Sequence, residues 1–136
     1  RLADEVIVAV AYTPTQAKGG LFSVEERLEM IEEVFQDEGR IKCRSFQGLL
    51  VDLAQEMNAQ FVIRGLRAVS DFEYEFQMAQ MNRELWSGGE TVFLTPDPKY
   101  AFLSASLVRE VARLGGNVSQ FVSGPVLARM DQLLPE

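Results

Sequence analysis

The chain has 136 residues, a net charge of −7 and an apolar fraction of 47%, the size and make-up of one globular domain with a real core. The negative charge argues against a nucleic-acid surface, which needs a basic stripe. Histidine does not occur and cysteine occurs once, which excludes imidazole metal sites, Ser–His and Cys–His nucleophile pairs, and an intrachain disulfide. Chemistry must therefore rest on Lys, Arg, Ser, carboxylates or a bound metal ion. No apolar run approaches the roughly 18 residues of a membrane span. The lone Cys43 fits a reducing compartment, and no membrane partner is expected.

Residues 5–11 form a continuous apolar run, as in a strand buried on both faces. A polar loop over 12–21 holds Pro14, Lys18, Gly19 and Gly20. Ser23 with Glu26 makes a capping box. Val24, Leu28, Ile31 and Phe35 then recur at helical spacing, and Gly39 ends the unit. Residues 41–46 read as a weaker strand, and Gly48 opens a short helix over about 50–57. A strand at 61–63 runs straight into Arg64. Ser70 and Glu73 form a second capping box, which predicts a helix over 70–85. That helix is apolar on two sides, with Phe72, Phe76 and Ala79 on one and Tyr74, Met78, Met81 and Leu85 on the other. It needs more than one partner: the sheet, and either the rest of the domain or a second subunit. Gly88 and Gly89 turn into a strand at 91–94. After Pro96 and Pro98, Ser104 and Ser106 open a helix carrying Leu107, Val108, Val111 and Leu114, which Gly115 and Gly116 end. A last helix starts at Pro125 and runs to about 134. Strands alternating with helices imply a single α/β domain built on a parallel sheet with helices on both faces.

Three donor-rich segments follow strands, where open α/β sheets bind ligands. They are the loop holding Lys18, the pair Arg64 and Arg67 ahead of a helix N-terminus, and residues 100–106 leading into the Ser104 helix. Arg is suited to phosphate because its planar fork donates two parallel hydrogen bonds, and a helix N-terminus with hydroxyls is a ready anion site. The same residues equally fit plain structural roles. Both arginines can pair with Asp71, Glu73 or Glu75, and Ser104 or Ser106 can simply cap the helix. Taken together, the three segments point to a phosphorylated ligand, a nucleotide above all, with neither a Walker A nor a G-x-G-x-x-G pattern.

The run Arg64-Gly65-Leu66-Arg67, with Asp71-Phe72-Glu73-Tyr74-Glu75 and Gln77-Met78-Ala79-Gln80-Met81-Asn82, resembles bacterial phosphopantetheine adenylyltransferases. So do Leu21-Phe22-Ser23-Val24-Glu25-Glu26-Arg27 and the stretch from Phe102 to Ala112, in the same order along the chain. The resemblance implies a Rossmann-like nucleotidyltransferase fold. It also implies transfer of AMP from ATP to 4′-phosphopantetheine, with Mg²⁺, in a cytoplasmic homo-oligomer, a hexamer. By the same resemblance Lys18 and Arg67 would be catalytic. Lys18, Leu49, Leu50, Arg64 and Asn82 would hold phosphopantetheine. Gly65, Leu66, Arg67, Glu75, Tyr100, Ala101, Phe102, Leu103, Ser104, Ala105 and Ser106 would hold ATP. Ala105 stands where a serine is common in such enzymes.

Such enzymes begin with a strand, a Gly-rich turn and a (Thr/His)-x-Gly-His motif. The motif does not occur here, and that strand would lie between those at 5–11 and 61–63. An upstream βα unit is therefore expected in the intact protein, because its loss would orphan backbone groups at about 1–3 kcal/mol each. The alternatives are a catalytically inactive nucleotide-binding or assembly module, and an adenylyltransferase for another phosphorylated acceptor.

Overall fold

The structure, a computed structural model, describes residues 2–12 and 20–134. The chain divides into two compact units, one made of Arg1–Gly48 with Ser104–Glu136 and the other of Leu49–Leu103.

In the first unit, strands β1 (Val6–Ala11) and β2 (Ile41–Phe46) pair in parallel, from Val6 opposite Ile41 to Ala11 opposite Phe46. Helix α1 (Val24–Val34) makes the crossover between them, as parallel pairing requires. Its start is the expected one, with the Ser23 hydroxyl accepting the Glu26 N–H at 3.1 Å. Met30, outside the predicted stripe, is its most deeply buried residue, while Phe35 at the end is exposed. β1 reaches full burial only at Val10 and leaves Val6 exposed. Among the described residues one helix, α1, packs closely on a strand whose composition suits two.

Residues 104–134 complete the unit. Helix α4 (Ala105–Arg113) ends as expected: Gly115 takes a left-handed φ of 82°, and the Gly115 and Gly116 N–H groups donate to the carbonyls of Ala112 and Val111. Helix α5 (Gly124–Leu133) has Pro125 in its first turn and packs on α1. Arg129 on α5 donates to Glu33 at 2.6 Å and lies 3.5 Å from Glu29, both on α1.

In the second unit, helix α2 (Leu50–Glu56) precedes β3 (Phe61–Gly65), α3 (Val69–Leu85), β4 (Glu90–Leu94) and a 3-10 turn at Pro98–Tyr100. Val51, 1% exposed, forms the core with Ala54 and Trp86, and Ala59 and Val62 pack against them. β3 and β4 pair in parallel from Phe61 opposite Glu90 to Gly65 opposite Leu94. Two expectations are corrected here. The strand predicted over 61–63 runs on through Arg64 and Gly65, and the Leu66 N–H still donates to the Leu94 carbonyl at 2.9 Å. A ladder is made by backbone and continues past the last apolar side chain. The helix also begins one residue before Ser70, with Ala68 in the N-cap position. Ser70 is thus inside the first turn, where it cannot serve as the cap residue.

Helix α3 packs against β4 and leaves Phe72, Tyr74, Phe76, Met78, Met81 and Leu85 exposed, so within its own unit it has fewer apolar partners than its composition asks for. Phe72 and Phe76 stack one turn apart, their ring centroids separated by 5.6 Å.

The turn between α3 and β4 is fixed by Gly89. A Cβ built there would stand 2.0 Å from the Trp86 ring. Gly89→Ala is expected to displace the indole and cost about 2 kcal/mol or more, as overpacked cores do, read as a lowered urea midpoint. The Arg129 hydrogen bond, the largest cause, holds the Glu33 carboxyl below its ordinary 4.5. A carboxyl with a lowered folded-state pKa adds stability above the unfolded value and loses it as pH falls. Arg129→Met should therefore be less stable than the parent at pH 7. That gap should close as the solution is taken down through the carboxylate range, and a gap of constant size would show the pair to be idle.

Candidate active site

β3 carries Arg64 to the carboxyl end of its sheet, opposite Phe93 of β4. Its Nε–H donates to Glu75 Oε2 at 2.9 Å and its Nη2 to Glu75 Oε1 at 2.5 Å, a two-pronged ion pair. Glu75 is the more enclosed partner, with a side chain 12% exposed against 47% for Arg64. The Glu75 hydrogen bond pushes Arg64 further up from its ordinary value, so the guanidinium is a permanent cation. Three of its five N–H donors, two on Nη1 and one on Nη2, lie outside this pair.

Arg67, three residues on, repeats the arrangement. Its Nε–H donates to Asp71 Oδ2 at 3.2 Å, with Nη2 at 3.5 Å from Oδ1, and Nη1 donates to the Leu103 carbonyl at 2.9 Å. Asp71 and Glu75 are one helical turn apart on α3 and so share a face. Asn82, half-buried, follows two turns beyond Glu75 on about the same side. Glu73 is two residues from each carboxylate and lies across the helix, which explains why it takes neither arginine.

Leu49 caps α2 with its backbone: its carbonyl accepts the Asp52 and Leu53 N–H groups while its side chain is exposed. Leu50 is half-buried at the first position of that helix. Gly65 and Leu66 supply ladder backbone beside Arg64. Tyr100 and Phe102 are exposed, and Ala101 and Leu103 are tied by backbone bonds to Pro98 and Tyr100. Ser104, Ala105 and Ser106 belong to the first unit. There the Ser104 hydroxyl accepts the Leu107 N–H at 3.1 Å as an N-cap, and the Ser106 hydroxyl accepts from Arg109 at 3.2 Å. Lys18 lies outside the described residues.

Two features escaped the sequence. Asp71 was one of three acids within reach of the arginines, and only the phase of α3 selects it. Lys99 stands 4.8 Å over the Tyr100 ring and 3.7 Å from Asp97, whose carboxylate also accepts the Lys99 backbone N–H. The run Asp97-Pro98-Lys99-Tyr100 is the signal that carries it: an acidic cap, Pro in first position, then a cation beside an aromatic.

Parallel strands joined by helices, with cations at a strand's carboxyl end, are features of the Rossmann-like nucleotide-handling fold. Residues 1–111 match the family described as Cytidylyltransferase-like, and the class is nucleotidyltransferase. The chain is 50% identical over 131 residues to "Phosphopantetheine adenylyltransferase" of Azoarcus sp. (strain BH72), covering 96% of this chain and 79% of that protein. It is 51% identical to the protein of the same name from Nitrosomonas eutropha (strain DSM 101675 / C91 / Nm57), over 97% of this chain and 79% of the relative. The Caldanaerobacter subterraneus subsp. tengcongensis relative of that name is 50% identical over 95% of this chain. The chain belongs to the phosphopantetheine adenylyltransferase family.

Ser104→Ala removes the hydroxyl cap of α4 and should cost about 1 kcal/mol, measurable as a shift in urea midpoint. Ala105→Ser, one position inside the helix, should leave the midpoint where it was.

Proposed function

We propose that this chain transfers AMP from ATP to 4′-phosphopantetheine, giving dephospho-coenzyme A and pyrophosphate. The observation that carries the reading is the pair Arg64 and Arg67 at the carboxyl end of β3. Each is oriented by a carboxylate of α3 and each keeps N–H donors for an anion. An oxygen of the acceptor phosphate bonds to the α-phosphorus of ATP as the bond to the bridging oxygen breaks. Pyrophosphate leaves with that electron pair, and no covalent enzyme intermediate forms. A site of this kind works by positioning and by cations that meet charge on the phosphoryl oxygens.

In this reading Arg64 holds the acceptor phosphate, with Leu49, Leu50 and Asn82 along the pantetheine arm. Arg67 and Lys18 meet the charge at the α-phosphate. Gly65, Leu66 and Glu75 contact the nucleotide, Glu75 while orienting Arg64. Residues 100–106 take the adenine side and the β- and γ-phosphates. Among the described residues no three acidic or Cys side chains cluster to hold a metal ion. By family likeness Mg²⁺ takes part, and the triphosphate of ATP would supply most of its ligands. No helix among the described residues is long and apolar enough to cross a membrane. The reading places the protein in the cytoplasm as one nucleotidyltransferase domain, assembled as a homo-oligomer, a hexamer by family likeness.

Pyrophosphate release with ATP, phosphopantetheine and Mg²⁺ tests the activity. ATP binding without release would support an inactive nucleotide-binding module instead. Arg64→Ala should raise KM for phosphopantetheine about tenfold or more and KM for ATP far less, since a bidentate arginine contact to phosphate is lost. Arg64→Lys, a point charge without the fork, should fall between. Equal losses for both substrates would refute the assignment of Arg64.

A further inference from the structure

Arg67 stands in the connection between β3 and α3, and three of its five N–H donors are engaged, by Asp71 twice and by the Leu103 carbonyl once. One N–H remains on each terminal nitrogen. The Asp71 side chain is 29% exposed and sits in the first turn of α3, whereas the Arg67 side chain it holds is 46% exposed. A long side chain that open to water samples many rotamers unless it is held. The carboxylate is short, belongs to a helix, and grips the Nε edge of the fork. The Nη1 bond then reaches 36 residues down the chain to Leu103, the last residue before Ser104. One guanidinium thus supplies charge and pins the backbone of the segment that runs from the 3-10 turn to α4.

We propose that Asp71 is a positioning residue for the nucleotide: it holds Arg67 side-on, so that Arg67 pins the Leu103 carbonyl and offers its two remaining N–H groups to a phosphate of ATP. This rests on the adenylyltransferase reading and extends it to a residue that touches neither substrate. Arg64 is held separately by Glu75, so the acceptor phosphate should not sense the change.

The test is steady-state kinetics on the full chain, varying each substrate in turn. Asp71→Ala should raise KM for ATP about tenfold, as loss of a charged hydrogen-bond partner does, and move KM for phosphopantetheine by less than about twofold. Asp71→Asn, equal in size but presenting an NH₂ group toward Nη2, should resemble Asp71→Ala. Asp71→Glu, which returns a carboxylate to the same turn, should recover most of the ATP affinity. Equal rises in both KM values, or no rise in either, overturn the proposal. Should Asp71→Ala fail to fold, the isosteric Asn variant decides. Calorimetry with ATP separates the two readings. A parent chain that binds ATP without releasing pyrophosphate removes the transfer reading, and the ATP Kd of the Asn variant still decides the role of Asp71. A parent that binds no ATP overturns both.

Discussion

The second unit carries two arginines three residues apart, Arg64 in β3 and Arg67 just beyond it, and holds them with two carboxylates one turn apart on a single helix. Asp71 takes Arg67 and Glu75 takes Arg64, each on the Nε edge. The β3–β4 ladder runs on to Gly65 and brings Arg64 to its end, and α3 carries Asp71 and Glu75 one turn apart. Val51, Ala54 and Trp86 hold the frame behind it.

The ion pairs do not owe their place to stability. Pairs as open as Arg67 with Asp71 contribute about 1 kcal/mol or less. What they give is direction, because an arginine gripped along one edge has its remaining donors aimed. Glu75 differs in degree. It is the enclosed member of its pair, and removing Arg64 would leave a carboxylate with little water around it, the more damaging way to break such a pair. The two clasps are therefore unequal, firm at Arg64 and looser at Arg67, where a backbone carbonyl supplies the third contact.

Much of this was legible in the residues. The weaker strand at 41–46, the Ser23 cap and the Gly115–Gly116 stop are local signals that nothing overrides, and they stand as read. Arg64 and Arg67 were legible by residue type and by following a strand. Their partners were not, since the choice among Asp71, Glu73 and Glu75 depends on helix phase. The Ser70 capping pattern put the start of α3 one residue late. The end of β3 was hidden for a related reason: hydrophobicity marks where side chains are buried, not where backbone pairing stops.

The indole of Trp86 has a use beyond packing. It is the only tryptophan in the sequence and lies in the core of the second unit, under the turn at Gly89. Its fluorescence therefore follows that unit alone, whereas far-ultraviolet circular dichroism sums over the helices of both. If the two signals change together in denaturant, residues 49–103 and the remainder unfold as one cooperative body. If they separate, the arginine-bearing unit is a foldon of its own, and the adenylyltransferase would carry a region able to open without dissolving the rest.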